Sequence, residues 1–172
     1  MPQSLAGQIG SLLRERKLTL GAVESASGGL ISHLITNVPG SSDYYHGSIT
    51  TYSNEIKIKL LGVKRETLKK HGAVSAQVAR EMAAGGRKVL GVDICISDTG
   101  IAGPTGASAR KPVGLFYLGI SHREGTFARK HIFHGNRGRN KELAATAALS
   151  WLKEYLSGLK SIRLIKNEEQ RK

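Results

Sequence analysis

The chain has 172 residues, 40% of them hydrophobic and 23% charged, which suits a single globular domain able to bury roughly two-thirds of its unfolded surface. A single cysteine, Cys95, excludes an internal disulfide and any C-x-x-C metal or redox site. The net charge of +13 attracts anions of every kind without choosing among them, so nucleic acid stays open on charge, although no aromatic–basic alternation suited to stacking single-stranded bases is present.

No uninterrupted apolar run of about 20 residues exists to span a membrane. The first apolar stretch is broken by Arg14, Arg16 and Lys17 and does not read as a secretory signal. The expectation is a cytoplasmic protein with one domain over residues 1–159 and a basic tail over 160–172.

In chain order, Ser4 precedes Leu5, Ile9, Leu12 and Leu13, an amphipathic helix by spacing. Leu18 to Val23 reads as a short buried strand ending at Glu24-Ser25. Gly28-Gly29 follow, and Leu30, Ile31, Leu34 and Ile35 recur at helical spacing up to Pro39-Gly40. Ser48 to Tyr52 favours a strand through its β-branched residues, and Asn54 is placed to cap a helix closed by Gly62. A short helix around Glu66 stops at His71-Gly72. Ser75 opens another, with Val78, Met82 and Val89 expected inward and Gly91 at its end.

Val92 to Ser97 is a third strand, with Cys95 read as a buried spectator thiol. Thr99 to Pro112 is too rich in Gly and Pro for regular structure. Val113 to Ser121 and Thr126 to His134 read as an antiparallel hairpin. A last helix runs from about Gly138 to Tyr155, with Leu143, Ala147, Trp151 and Leu152 on one face. Strands alternating with helices imply an α/β fold, its sheet covered on both sides, mostly parallel, with an antiparallel element from the late hairpin.

Four polar segments follow predicted strands: Glu24 to Gly29, Tyr52 to Lys57, Thr99 to Gly106 and Gly135 to Lys141. Ligands of open α/β sheets bind beyond the carboxyl ends of strands. Ser25 stands where a strand turns into a helix, near N–H groups able to steady an oxyanion, although on position alone plain capping of that helix by Ser25 or Ser27 is the favoured reading.

No His–Asp pair accompanies Ser25. Lys57 can act as its base if burial keeps the amine neutral, against the plain reading of a solvated helix lysine, and Tyr52 is placed to donate or relay a proton. The Tyr52–Lys57 spacing is one residue too long for the Tyr-x-x-x-Lys pair of short-chain dehydrogenases. Gly100 to Pro104 offers backbone amides to a phosphate but lacks a P-loop ending. Arg137 can clamp a phosphate bidentately, whereas Arg110 and Lys111 read as solvated loop charges.

Taken together, the chain resembles the CinA C-terminal (PncC) family. The matching pieces are E-S-A-S-G-G (Glu24 to Gly29), V-P-G-S-S (Val38 to Ser42), T-Y-S-N-E-I-K (Thr51 to Lys57), H-G-A-V-S (His71 to Ser75), T-G-I-A-G-P (Thr99 to Pro104), K-P-V-G (Lys111 to Gly114) and F-H-G-N-R (Phe133 to Arg137). They keep the family's order over about residues 18 to 152.

The resemblance implies a three-layer α/β/α sandwich with a mixed sheet of about five strands, a homodimer, and hydrolysis of the amide of nicotinamide mononucleotide to nicotinate mononucleotide and ammonia, with no metal or organic cofactor. It further implies Ser25 as nucleophile, Lys57 as base and Tyr52 assisting. Ser27, Gly28, Gly29, Thr99, Gly100, Ala102, Gly103 and Arg137 would bind substrate.

The chain departs from the family's pattern at Ala26, Ser27, Asp98, Thr105, Ala107, Asn136 and Lys141. An Arg-to-Lys change such as that at Lys141 is not conservative where a bidentate contact is needed. The departures at Asp98, Thr105, Asn136 and Lys141 motivate the alternative of a non-catalytic relative that binds a nucleotide or a protein partner.

Overall fold

The computed structural model describes the backbone of residues 3–169 and the side chains of residues 3–158. Helix α1 (Leu5–Arg16) is capped by the Ser4 hydroxyl, which accepts the Gly7 amide. Strand β1 (Leu20–Glu24), buried at every residue, leads through a tight turn into α2 (Leu30–Thr36). After β2 (Tyr45–Thr50) come α3 (Asn54–Leu61), α4 (Arg65–His71) and α5 (Ala76–Leu90). Strands β3 (Ile94–Gly100), β4 (Leu115–His122) and β5 (Gly125–Ile132) precede α6 (Arg137–Glu169).

The five strands form one sheet in the order β2-β1-β3-β4-β5. β1 pairs with β2 and β3 in parallel, and β4 runs antiparallel to both β3 and β5. Four of the five strands therefore point the same way, with the expected late hairpin at one edge.

Two apolar layers cover the sheet. On one face α1, α2 and α6 bury Ile9, Leu13, Ile31 and Leu152 against Ala22, Ile94 and Ile96. On the other, α3, α4 and α5 set Leu61, Leu68, Val78 and Met82 against Val23 and Cys95. Alternation along the strands does this sorting, since successive side chains point to opposite faces. Even-numbered residues of β1 and β3 look toward α2 and α6, odd-numbered ones toward α3 and α5. Each large aliphatic side chain so buried contributes about 1.5–3 kcal/mol.

Several boundaries differ from the sequence expectation. β2 starts at Tyr45 and stops before Thr51, so Thr51 and Tyr52 form a connector. Ser53, not Asn54, caps α3: its backbone is extended and its hydroxyl accepts the Ile56 amide. Thr99 and Gly100 belong to β3 and pair with Tyr117 and Phe116 of β4; the ladder overrides the loop preference of their glycine-rich surroundings. Val89 is 55% exposed, because the inward stripe through Met82 and Gly86 continues to Leu90. On α6 the buried stripe is Ala144, Ala145, Ala148, Leu149, Leu152 and Leu156, with Trp151 buried beside it as expected and Leu143 and Ala147 half-buried at its border.

The backbone of α6 is continuous through Glu169, so residues 160–169 extend this helix. The side chains of the basic segment read as a tail, and residues 170–172, lie outside the described residues. No described helix is long and apolar enough to cross a membrane.

Candidate active site

The site begins at the carboxyl end of β1. Glu24 is fully buried, and its carboxylate accepts the Ser27 hydroxyl at 2.7 Å, the Gly29 amide at 2.9 Å, the Ile31 amide at 3.0 Å and the Ser32 amide at 2.9 Å. It thus satisfies the N–H groups at the start of α2 that no side chain at the cap position reaches. Gly28 and Gly29 turn the chain with φ of 65° and 100°, a left-handed conformation that glycine adopts at no steric cost.

Asp98, on the same face of neighbouring β3, is also fully buried. Its carboxyl oxygens accept the Ser25 amide at 3.0 Å and the Ser27 amide at 3.1 Å, and lie against the Ser27 hydroxyl. Burial raises this carboxyl above its ordinary aspartate value, opposed by the Ser27 hydroxyl and the Ser25 and Ser27 amides and aided by the charge of Glu24.

These bonds revise the oxyanion expectation. The amides of Ser25, Ser27, Gly29, Ile31 and Ser32 are engaged by Asp98 and Glu24, so they do not serve an oxyanion. Among the described residues, the Ala26 amide between them has no partner.

Lys57 projects from the first turn of α3 and is 1% exposed, so the reading of a solvated helix lysine is overturned. Its Nζ lies 3.0 Å from Ser25 Oγ, 2.7 Å from the Thr51 carbonyl and 3.4 Å from the Tyr52 carbonyl. The connector after β2 therefore aims two carbonyls at an amine that the helix presents. A neutral amine has two hydrogens and one lone pair. The carbonyls can only accept, so in that neutral form they would take the hydrogens and the lone pair would face the Ser25 hydroxyl. Burial lowers the pKa of Lys57 from the ordinary lysine range, with Asp98 opposing the shift.

Ser25 and Lys57 open onto a cleft of about 270 Å³, also lined by Ala26, Tyr52, Val74 and Thr99. Gly100, Ala102, Thr105 and Arg137 complete much of the rest. Thr99 donates to the Ala73 carbonyl at 2.9 Å, joining β3 to the segment before α5. Arg137 donates to the Gly103 carbonyl at 2.7 Å and to the Tyr52 hydroxyl at 3.2 Å. It also lines an adjoining depression with Gly103, Pro104 and Asn136.

Other expected site residues make contacts different from those expected. The Tyr52 side chain is 66% exposed. Its hydroxyl contacts Arg137 rather than Ser25 or Lys57, so only its carbonyl reaches the Ser–Lys pair. Ser27 is sealed beneath the turn, and Gly28 lies near the Lys141 amine, outside the cleft. Lys111 is not a free loop charge: its amine donates to the His71 and Val74 carbonyls at 2.6 and 2.7 Å.

Sequence reasoning missed the work of two buried side chains. Asp98 stands among alternating β3 residues whose neighbours on its face are Ile94 and Ile96, a position where a carboxyl must find partners. Asn140, also fully buried, accepts the Gly135 amide and donates to the Ala102 carbonyl, tying α6 to the cleft wall. Among the described residues, no group of three or more His, Cys, Asp or Glu side chains is arranged to hold a metal ion.

The structure thus sets a buried lysine against a serine at the strand ends of a three-layer α/β sandwich. The model of the CinA C-terminal domain matches residues 2–156, and the chain belongs to that family. It is 50% identical over 146 residues to a putative competence-damage inducible protein of Moorella thermoacetica, covering 85% of this chain and 35% of the relative. Identity to a CinA-like protein of Chloroherpeton thalassium is 49% over 157 residues, covering 89% and 37%. The chain thus spans little more than a third of the length of the curated relatives it matches.

Among solved structures, competence/damage inducible protein CihA of Agrobacterium tumefaciens superposes with a TM-score of 0.85 at 35% identity, over 89% of this chain and 93% of that one. A CinA superfamily protein of Klebsiella pneumoniae superposes with a TM-score of 0.86 at 28% identity, over 90% and 96%.

Proposed function

We propose that the cleft hydrolyses the carboxamide of nicotinamide mononucleotide, releasing ammonia and nicotinate mononucleotide in the recycling of pyridine nucleotides. The observation that carries the reading is the 3.0 Å approach of the buried Lys57 Nζ to Ser25 Oγ. Serine is a weak nucleophile until a base takes its proton, and an amine kept uncharged by burial is such a base.

In the first half-reaction Ser25 Oγ bonds to the amide carbon while its proton passes to Lys57. The tetrahedral centre collapses as Lys57 returns that proton to the departing nitrogen, and ammonia leaves an acyl ester on Ser25. Water then gives a proton to Lys57 and attacks the ester. Ser25 is regenerated with that proton, and the carboxylic acid ionises. Ala26, in the cleft wall with an unbound amide, is the proposed oxyanion donor, as the residue after the nucleophile is in other serine hydrolases. Arg137 at the rim pairs with the substrate phosphate, and Tyr52 and Gly103 hold that guanidinium in place.

Purified protein is expected to release ammonia from the mononucleotide. Lys57→Ala should lower kcat by roughly 10²–10⁴-fold, the usual contribution of a positioned base, and Ser25→Ala should be at least as damaging, both remaining folded by circular dichroism. Calorimetry that finds binding with no ammonia from wild type would replace the enzyme by a nucleotide-binding relative. The family resemblance also supports a homodimer. Sedimentation should give about twice the chain mass, and a monomer at all concentrations would remove that part of the reading.

A further inference from the structure

The Ser27 hydroxyl carries one hydrogen but lies against two fully buried carboxyl groups, Glu24 Oε2 and Asp98 Oδ1. It can donate to only one of them. Were both ionised, the second contact would set a carboxylate oxygen against a hydroxyl oxygen with no hydrogen between them. Among the described residues, neither carboxylate forms an ion pair with a cation. Two uncompensated charges would then share one dry pocket, and in such pairs one carboxyl keeps its proton.

Counting donors locates that proton. Glu24 Oε2 already accepts the amides of Gly29 and Ile31, and the Ser27 hydroxyl makes a third donor, which leaves no lone pair free and no room for a hydrogen of its own. Asp98 Oδ1 accepts one amide, that of Ser25, and faces Ser27 Oγ with its remaining capacity. We infer that Asp98 is a neutral carboxylic acid at neutral pH and donates to Ser27 Oγ, which donates in turn to an ionised Glu24.

The groups facing this cluster are Glu24 on β1, Lys57 on α3 and, over the turn at Gly28, Lys141 on α6. Across the β3–β4 ladder the partner of Asp98 is the apolar Leu118. Only Glu24 bears on Asp98 as a like charge, in the direction that keeps the proton on.

Asp98 is then a positioning residue with two effects. Its oxygens hold the Ser25 and Ser27 amides and so fix the turn that carries the nucleophile. Its neutrality also removes the one charge that would favour an ammonium on Lys57. The second effect rests on the Ser25–Lys57 reading above; the proton itself does not.

The chain contains only three aspartates, Asp43, Asp93 and Asp98, and the first two are exposed. Carbon-13 NMR of the full chain labelled at the aspartate side-chain carboxyl should show three signals. At pH 7 two are expected at the carboxylate position and one at that of a protonated acid. The protonated signal should persist in both D43N and D93N, which assigns it to Asp98 without disturbing the turn. Three ionised signals, or loss of the protonated one in either variant, overturn the proposal.

This measurement uses no substrate, so its failure is separate from failure of the amidase reading. Where turnover is present, D98N should leave the acid limb of the pH–rate profile in place, since one neutral group replaces another. An ionised Asp98 would instead make that limb shift to lower pH in the variant.

Discussion

A lysine at the first turn of a helix ordinarily keeps its ammonium in water. Lys57 cannot, because α3 packs its side chain under the Thr51–Tyr52 connector. Its folded-state pKa is lowered by burial, so between that value and the ordinary lysine value the unfolded chain binds the extra proton. Stability must therefore rise with pH across this window. Lys57→Met should flatten that rise, read as a difference in Tm between variant and wild type that changes from pH 7 to pH 10. The same lowered value should appear as the acid limb of kcat/KM, with rate climbing as the amine loses its proton. A difference in Tm constant with pH would mean that Lys57 titrates as an ordinary exposed lysine.

At the scale of elements, the Ser25–Lys57 contact depends on how closely α3 is held. Gly85 of α5 abuts the Leu61 main chain at the end of α3, and a Cβ there would fall on the Leu61 carbonyl. Backbone cannot give way as a side-chain tip can. Gly85→Ala should cost about 1–3 kcal/mol by overpacking, seen as a fall in Tm of several degrees. Because Leu61 lies one turn beyond Lys57, it should also lower kcat in protein that is still folded at the assay temperature. Full activity with unchanged Tm would show that α3 has slack. Asn140 plays the matching part for α6, whose first residue is Arg137: its two bonds, to Gly135 and Ala102, set that helix against the loop after β3.

For the molecule as a whole, the net charge of +13 is a field rather than a site. It raises the local concentration of any anionic substrate, but screening over about 10 Å at 0.1 M salt limits its reach. On the amidase reading proposed above, KM for the mononucleotide should therefore rise with added NaCl while kcat changes little. A KM indifferent to salt would confine phosphate recognition to short contacts such as Arg137. The two apolar layers separate the tasks of the two faces. The face covered by α1, α2 and α6 buries Glu24, Ser27 and Asp98 beneath the turn, and the opposite face presents Ser25, Lys57 and Thr99 to the cleft.

Periodicity, capping residues and glycine placement determined much of this protein from the sequence alone: the order of strands and helices, the late hairpin, the turn after β1, and the segments that meet at the strand ends. The ordered motifs from Glu24 to Arg137 also carried the family. Other features depended on contacts between residues far apart in the chain. The ladder with β4 drew Thr99 and Gly100 into β3, and strand alternation under α2 brought Asp98 beneath Ser25, 73 residues away. Packing of α3 stripped water from Lys57. Local sequence encodes backbone preference, whereas burial, and with it the protonation of a lysine or an aspartate, is decided only when distant elements close over the side chain.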